Sequence, residues 1–371
     1  MNKIISIFLA LLCLIMVISA CSSCSLDTEE TGTTYPNGNS VTTGVTSRFI
    51  PEADQNENIF PSYLTGNQNQ DEGLDISDLH LIKAKARYQF GFSIGSRDLF
   101  LSELETAAQE ECALLGVKMT VVSAENNSDV QLQSISMFVE QGCDAIIVNL
   151  VESSLADDVI TLAAGTPVVF VNRIPDLELV RGESCFVGSD EMESGRLQGE
   201  FLSDYFKERD QTNIDVVMLK GQSGVRNTEL RTEMVKLTLM ENGITANYIY
   251  EVEANWEREK AEHEMENFLS QGRSFDCVIC NNDEMALGVI DAMLKKNKNP
   301  QTIPVIGIDA IPVALKAMEK GTLSFTVFQN PVSQGSGCVR VATAFANGDD
   351  IGTTVQIPFE PVTFKNYKDY M

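Results

Sequence analysis

The chain has 371 residues, 43% of them hydrophobic, and its 53 acidic against 27 basic residues give a formal net charge of −26 at pH 7. This length suits two domains with ordinary hydrophobic cores. Nucleic acid is bound by clustered Lys and Arg side chains, so the acidic balance argues against a nucleic-acid partner.

Residues 1–20 have the pattern of a targeting segment. Lys3 precedes an apolar run over residues 4–18, and the small residues Ser19 and Ala20 come before a cleavage point. The four residues that end at Cys21 resemble a bacterial lipobox, which implies that Cys21 is diacylated and forms the mature N-terminus. The alternatives are an ordinary secretory signal, a retained membrane anchor, or lipidation at Cys24.

Residues 21–85 show no sustained hydrophobic periodicity and are dominated by Thr, Ser, Gly, Asn, Asp and Glu. A segment of this composition buries too little apolar surface to fold alone. We therefore predict a flexible tether that holds the folded part of the chain away from a membrane.

From Tyr88 onward, strands and helices alternate. The expected strands are 88–94, 117–122, 145–150, 167–171, 185–187, 216–219, 246–250, 275–280, 303–308 and 323–328. Amphipathic helical patterns lie between most of them. Strict alternation predicts an α/β fold with parallel sheets and right-handed crossovers. Two series of this size indicate two similar lobes, each with helices on both faces of its sheet.

Polar side chains stand where the expected strands end, which is the edge at which open α/β sheets bind ligands. The clearest case is the stretch 275–310, where two consecutive strands run directly into Asn281-Asn282-Asp283 and into Asp309. Other strands lead to Asp98, Asn149, Asn172-Arg173, Asn227, Arg231 and Gln329. These side chains make several directed hydrogen bonds, as a polyhydroxylated ligand requires.

Two aromatic residues, Phe100 and the single tryptophan Trp256, also follow strand ends and could sandwich the C–H faces of a pyranose ring. Each candidate also has a structural alternative. Asp98 and Asn227 could cap helices, Asn172-Arg173 could form a turn, and Phe100 could belong to the core.

Little in the chain indicates catalysis or metal binding. Cys277 and Cys280 have redox or metal spacing but lie inside an apolar strand. His80 and His263 are far apart, which argues against a zinc site or a histidine-based triad, and no carboxylate pair for glycoside hydrolysis is identifiable. We expect neither an enzyme nor a cofactor.

The segments TPVVFVNRIP, FVGSDEMESGRLQGE, VICNNDEMALGVIDAM and IPVIGIDAIPVALKAMEKG follow one another in order. From Tyr88 to the C-terminus, about three quarters of the chain, they resemble the type I periplasmic binding proteins. Within that group the chain looks most like the galactose/glucose-binding proteins of bacterial sugar ABC transporters, with ribose-binding proteins next. The resemblance implies two lobes joined by three crossovers, an N-lobe of residues 86–189 plus 332–358 and a C-lobe of 190–331 plus 359–371.

The resemblance also implies a ligand set: Asp98, Phe100, Asn149, Asn172, Arg173, Asn227, Arg231, Trp256, Asn282, Asp309 and Gln329. Asp98 would bond a ring hydroxyl, while Phe100 and Trp256 would stack on the ring. Asn282 and Asp309 would grip a pair of neighbouring hydroxyls.

Among the others, Asn172 and Arg231 would reach hydroxyls or the ring oxygen. Asn149, Arg173 and Gln329 match positions used more by the ribose group, so the expected pocket is mixed.

Two departures from the galactose/glucose pattern affect the expected ligand and metal. Val225 and Asn227 stand where that group usually has His and Asp, so the hydroxyls bound there must differ or be recognised less stringently. The turn 209–215 lacks the regular oxygen ligands of a calcium loop, so no bound metal is expected.

The function implied is that of an extracytoplasmic, lipid-anchored, monomeric receptor. It would capture a galactose- or glucose-like hexose by hinge closure and present it to an ABC permease and its ATPase. A sensor that hands its closed form to a chemoreceptor or histidine kinase, and a pentose-specific binding protein, are the alternatives. A transcription regulator is disfavoured by the signal segment and the acidic charge.

Overall fold

The computed structural model describes residues 74–75 and 79–371. The predicted signal peptide 1–20, the lipidation site Cys21 and most of the predicted tether lie outside the described residues. In the part that is described, no helix is both long enough and apolar enough to cross a membrane.

Strands and helices alternate along most of the described chain, as predicted. The strands are β1 (Leu74–Asp75), β2 (Gln89–Ile94), β3 (Lys118–Ser123), β4 (Ala145–Asn149), β5 (Val168–Val171), β6 (Ser184–Gly188), β7 (Asn213–Lys220), β8 (Thr245–Glu253), β9 (Cys277–Cys280), β10 (Val305–Ile306), β11 (Thr326–Phe328), β12 (Thr354–Gln356) and β13 (Glu360–Val362). The helices after residue 98 are α1 (Leu99–Leu115), α2 (Ser128–Glu140), α3 (Ala156–Ala163), α4 (Glu191–Lys207), α5 (Arg226–Glu241), α6 (Arg258–Ser270), α7 (Asp283–Lys295), α8 (Pro312–Glu319) and α9 (Pro331–Asn347).

The N-lobe contains a seven-stranded sheet in the order β1-β12-β6-β5-β4-β2-β3, and every neighbouring pair in it is parallel. The C-lobe contains a parallel sheet in the order β10-β9-β7-β8. Isolated parallel bridges continue this sheet from β10 towards β11, which pairs antiparallel with β13. The predicted α/β fold with two parallel sheets is confirmed.

Both sheets are covered on both faces, because alternate residues of a strand enter different cores. In β7, Val217 and Leu219 pack into the core formed with α6, α7 and α8, whereas Val216 and Met218 pack into the core formed with α4 and α5. This arrangement explains the continuous apolar runs that mark the central strands in the sequence.

The chain passes between the lobes three times, after β6, after β11 and after β12, since each of these strands and the next element belong to different lobes. All parallel strands therefore direct their carboxyl ends to the same region, the cleft between the lobes.

The last part of the predicted tether belongs to the N-lobe, so the predicted boundary at residue 85 lies too far along the chain. β1 extends the N-lobe sheet by pairing with β12. Leu79 is buried in the N-lobe core, and its carbonyl oxygen accepts a hydrogen bond of 3.0 Å from Arg340 Nη1. A two-residue strand is too short to show any alternation in the sequence.

The Cys277 and Cys280 thiols cannot act as a pair, because they enter different cores on opposite faces of the C-lobe sheet. Burial raises the pKa of both thiols. Among residues 74–75 and 79–371, no group of three His, Cys, Asp or Glu side chains is placed to hold a metal ion.

Asp283, the first residue of α7, gives a test of the C-lobe core. Its carboxylate is fully buried and accepts hydrogen bonds from Thr326 Oγ1 (2.7 Å) and from the Ile311 amide (3.1 Å). Burial raises its pKa to about 8, although these two bonds oppose the shift. The native state thus keeps a proton that the unfolded chain releases near pH 4, and the stability from this group is lost as pH rises towards 8.

We predict that the free energy of unfolding of Asp283→Asn, which cannot ionise, rises relative to that of the unmodified protein as pH increases. From pH 5 to pH 8 this relative gain should be on the order of 2 to 4 kcal/mol. Urea unfolding at both pH values measures the difference. The exposed residue Asp204 provides the control, since Asp204→Asn should show no such trend. If the difference in unfolding free energy between Asp283→Asn and the unmodified protein is the same at pH 5 and pH 8, Asp283 does not titrate in this range in the folded state.

Candidate functional site

A cavity lies in the cleft, and its roughly 380 Å³ of empty space includes open solvent. It is lined by Asp98, Phe100, Leu101, Asn172, Arg173, Val225, Asn227, Arg231, Trp256, Asn282, Asp309 and Gln329. Ten of the eleven predicted ligand residues are in this set. Asn149 is not, while Leu101 and Val225 are additions.

Asn149 is fully buried beneath the cavity and holds its neighbours in place. Its Oδ1 accepts from the Gly95 amide (3.2 Å), and its Nδ2 donates to the Val171 carbonyl (3.2 Å) and to Asn172 Oδ1 (3.3 Å). Asn149 thus lies outside the cavity lining and binds Asn172, and its direct contact with a ligand stays a prediction.

The N-lobe side of the cavity combines a helix cap with an arginine. Asp98 caps α1, since its Oδ1 accepts from the Leu101 amide (2.7 Å), and it also lines the cavity. Arg173 Nη1 donates to the carbonyl oxygens of Leu150 (2.7 Å) and Val151 (3.2 Å). This leaves its Nε–H and both Nη2 hydrogens for the cavity.

Arg173 remains positively charged at neutral pH. Burial lowers the pKa of its guanidinium to about 10, while the nearby Asp98 carboxylate acts in the opposite direction. The side chain can therefore offer charge-assisted hydrogen bonds to ligand oxygens.

On the C-lobe side, Arg231 is held by Glu191, a fully buried carboxylate that the sequence analysis did not single out. Arg231 Nε donates to Glu191 Oε2 (2.5 Å), and Nη2 donates to Glu191 Oε1 (3.1 Å). Nη1 donates to the Asn281 carbonyl (2.7 Å), and Nη2 also approaches Gln329 Oε1 (3.4 Å). Burial opposes its charge, but Glu191 raises the pKa of Arg231 above its ordinary value.

These contacts limit what Arg231 can do for a ligand. A guanidinium has five N–H groups, and four of them already have protein acceptors. Only one Nη1 hydrogen is left, so Arg231 can read a single ligand oxygen.

Asn282 and Asp309 follow β9 and β10, as predicted. Asn282 caps α7 through the Met285 amide (3.0 Å) and leaves one N–H free, since its Nδ2 also contacts the Trp256 carbonyl (3.4 Å). Within the described residues, no N–H or O–H donates to the Asp309 carboxylate, which is only 7% exposed. Burial raises the pKa of Asp309 well above its usual range, and Arg231 opposes the shift.

Three cavity residues have a backbone conformation that non-glycine residues rarely adopt. The φ angles are +66° at Asn172, +69° at Trp256 and +120° at Asp309. Such strain persists only where surrounding structure enforces it, and it is concentrated at functional sites. It aims these side chains into the cleft.

Trp256 lies against Gly221 at the end of β7. A Cβ atom at Gly221 would come within 2.0 Å of the indole ring, so only glycine leaves room for Trp256. The guanidinium carbon of Arg231 lies 5.6 Å from the ring centroid, at the outer range of a cation–π contact.

Gln329 completes the cavity at the end of β11. It is 1% exposed, and its Nε2 has no hydrogen-bond partner in the part of the chain that the structure describes. An unmet buried donor is costly, and an oxygen of a bound ligand would satisfy it. This amide is therefore a ready contact for a hydroxyl group.

Asn227 lines the cavity, yet its amide is already occupied. Nδ2 donates to Glu191 Oε1 (2.7 Å) and to the Asn172 carbonyl (3.0 Å), and Oδ1 accepts from the Ile174 amide (3.1 Å). Neither N–H is left for a ligand, and the role of Asn227 as a ligand-binding group stays a prediction. Val225 beside it offers only apolar surface.

The arrangement suits a neutral ring with many hydroxyl groups. Among the described residues, unused acceptors come from Asp98 and Asp309, and unused N–H donors come from Arg173, Arg231, Trp256, Asn282 and Gln329. A hydroxyl both donates and accepts, so it can satisfy both kinds of group. Aromatic surface at Phe100 and Trp256 complements C–H faces.

The family of periplasmic binding protein domains matches residues 90–350. A putative rhizopine-binding protein of Rhizobium meliloti is 33% identical over 69% of this chain and 82% of its own length. A D-galactose/methyl-galactoside binding periplasmic protein of Haemophilus influenzae is 29% identical over 74% of this chain and 88% of its own. A solved ABC transporter solute binding protein from Bacillus halodurans, with bound myo-inositol, superimposes with a TM-score of 0.71 and 34% identity, covering 77% of this chain and 97% of that one.

We predict that Gly221→Ala displaces the Trp256 indole, because the added methyl group would overlap the ring. Overpacking of this kind should lower stability by about 1–3 kcal/mol. Trp256 is the chain's single tryptophan, so intrinsic fluorescence reports it directly, and its emission should move to longer wavelength as the ring enters solvent. Gly272→Ala, at a left-handed turn (φ +70°) with open space around it, is the control for the emission spectrum alone, because an alanine is strained there too. An emission spectrum unchanged by Gly221→Ala would show that the contact does not position the indole.

Proposed function

The chain belongs to the periplasmic binding protein domain family, and from that premise we propose that it captures a cyclic polyol between its two lobes. The family consists of solute-binding proteins of sugar ABC transporters rather than enzymes. The proposal concerns which ligand is bound and how the closed cleft holds it.

One observation carries the proposal. Both lobes present polar groups to one cavity that have no hydrogen-bond partner among the described residues: the Nε and Nη2 hydrogens of Arg173 from the N-lobe, and the Asp309 carboxylate and Gln329 Nε2 from the C-lobe. A ligand that bonds both sets can do so only while the lobes are together. Such differential contact is what shifts an equilibrium towards the closed state.

The first candidate ligand is a hexose in its pyranose form. A six-membered ring places neighbouring hydroxyls around a C–H face, and the galactoside-binding relative supports this choice. The ring oxygen can only accept, and the remaining Nη1 hydrogen of Arg231 would suit it.

The second candidate is a cyclitol, which has a hydroxyl on each ring carbon and no ring oxygen. It is favoured by the Bacillus halodurans structure, which is 34% identical and holds myo-inositol. It is also favoured by Val225 and Asn227, because neither provides a free donor where galactose/glucose-binding proteins usually have charged or imidazole groups. A pentose is a third option, since a ribose import binding protein of Bacillus subtilis is 27% identical.

In the cell, the closed form would be delivered to an ABC permease with its ATPase. The protein would act outside the cytoplasm as a monomer, held at the membrane by a lipid on Cys21. The lipobox resemblance supports the anchor, and the sugar-transport relatives support the permease.

A thermal-shift screen of the full chain tests the ligand class. A ligand that binds only the folded state raises the melting temperature. We expect stabilisation by D-galactose, D-glucose or myo-inositol, and a smaller shift or none with D-ribose. If none of D-galactose, D-glucose, myo-inositol and D-ribose raises the melting temperature, the proposed function is refuted.

We predict that Asp309→Asn weakens binding of the active ring by about 10- to 100-fold. An amide puts an N–H donor where a carboxyl oxygen accepts from a hydroxyl, and leaving a buried polar group unmatched costs about 1–3 kcal/mol. Isothermal calorimetry measures the affinity, and Asp350→Asn, an exposed substitution in the N-lobe, is the control. Affinity retained within twofold in Asp309→Asn would remove Asp309 from the site.

A further inference from the structure

The two lobes are joined directly through the side chain of Asn227. From α5 of the C-lobe, its Oδ1 accepts from the Ile174 amide (3.1 Å) and its Nδ2 donates to the Asn172 carbonyl (3.0 Å). Both partners belong to the segment that follows β5 in the N-lobe. Asn227 is 3% exposed, so water competes little for these bonds.

Asn227 is the second residue of α5 and does not cap the helix. The capping position of α5 is Val225, which makes no side-chain hydrogen bond to the helix. The amide of Asn227 points away from its own helix and binds backbone groups of the other lobe. Local helix formation therefore does not explain the residue.

The second N–H of the Asn227 amide connects this residue, through Glu191, to Arg231 in the cavity lining. Nδ2 donates to Glu191 Oε1 (2.7 Å), and the same carboxylate receives Nε and Nη2 of Arg231. One N–H of Asn227 binds Glu191 and the other binds the Asn172 carbonyl, so both N–H groups are used. The side chain of Asn227 thus contributes both to the contact between the lobes and to the position of Arg231.

A second set of contacts crosses the cleft without involving Asn227. The Ser153 amide of the N-lobe donates to the Gly224 carbonyl (3.0 Å), and the Arg226 amide donates to Ser153 Oγ (3.0 Å). These bonds exist only while the lobes are together, so the two amides report on closure independently of Asn227.

We propose that Asn227 is an interlobe latch, a positioning residue that stabilises the closed cleft and makes no hydrogen bond to the ligand. The inference rests on the lobe closure in the proposed function but not on the identity of the sugar. A latch raises the fraction of molecules in the closed form, and the apparent affinity for any ligand scales with that fraction. Asn227 would therefore set overall affinity, whereas Arg173, Asp309 and Gln329 would set which hydroxyls are read.

The test is hydrogen–deuterium exchange of the full chain without ligand, resolved to single amides by mass spectrometry with fragmentation. In Asn227→Ala, exchange at Ile174 should rise about tenfold, and exchange at Ser153 and Arg226 should rise with it because the lobes separate as units. Amides of the central strand β7 should exchange as in the unmodified protein, which shows that the C-lobe stays folded. Asn242→Ala, at the opposite end of α5, is the matched control.

Asn227→Asp provides a second variant of the same shape. It loses both N–H donors and places a carboxylate within hydrogen-bond distance of Glu191, so the three reporter amides should exchange at least as fast as in Asn227→Ala. Faster exchange at Ile174 alone would overturn the latch in favour of a local bond. Unchanged exchange at all three amides in both variants would also overturn it. Because no ligand is present, a failed latch and a failed sugar-binding proposal remain distinguishable.

Discussion

The cleft depends on the buried ion pair between Glu191 and Arg231. Two charges removed from water are tolerated only when their remaining hydrogen-bonding groups are satisfied. Here Glu191 receives Arg231 twice and Asn227 once, while the rest of the guanidinium is bound by Asn281 and Gln329 except for one N–H. The ion pair fixes the long side chain of Arg231 as a hydrogen-bond donor to the ligand. Because Asn227 also binds Glu191, the same pair connects ligand binding with the contact between the lobes.

The parallel sheets bring the polar residues of the site together. Because every parallel strand ends at the cleft, short polar side chains just beyond the strands converge without long loops. The positive φ angles at Asn172, Trp256 and Asp309 show the backbone bent sharply at these points. The cores on both faces of each sheet hold the strand ends and enforce that strain.

The sequence indicates which residues lie at the cavity, but it does not show which groups they hydrogen-bond. Strand ends and amphipathic helices are local patterns, which is why ten of the eleven predicted residues line the cavity. Asn149 and Asn227 also follow strand ends, but their amides are taken by distant backbone groups, and only the folded chain shows this. Glu191 was missed because an acidic residue in the first turn of a helix ordinarily needs no further explanation. The strand at Leu74–Asp75 is too short to leave a pattern.

The most direct test of the central claim is a crystal structure of the full chain with the ring that gives the largest thermal stabilisation. The account predicts a single ring in the cleft that receives hydrogen bonds from Arg173 and Gln329, donates to Asp309, and lies against the Trp256 indole. Asn227 should still bind Ile174 and Glu191 and should leave the ring uncontacted by its amide. A ring bound to one lobe only, or one whose hydroxyls are held by the Asn227 amide, would contradict the account.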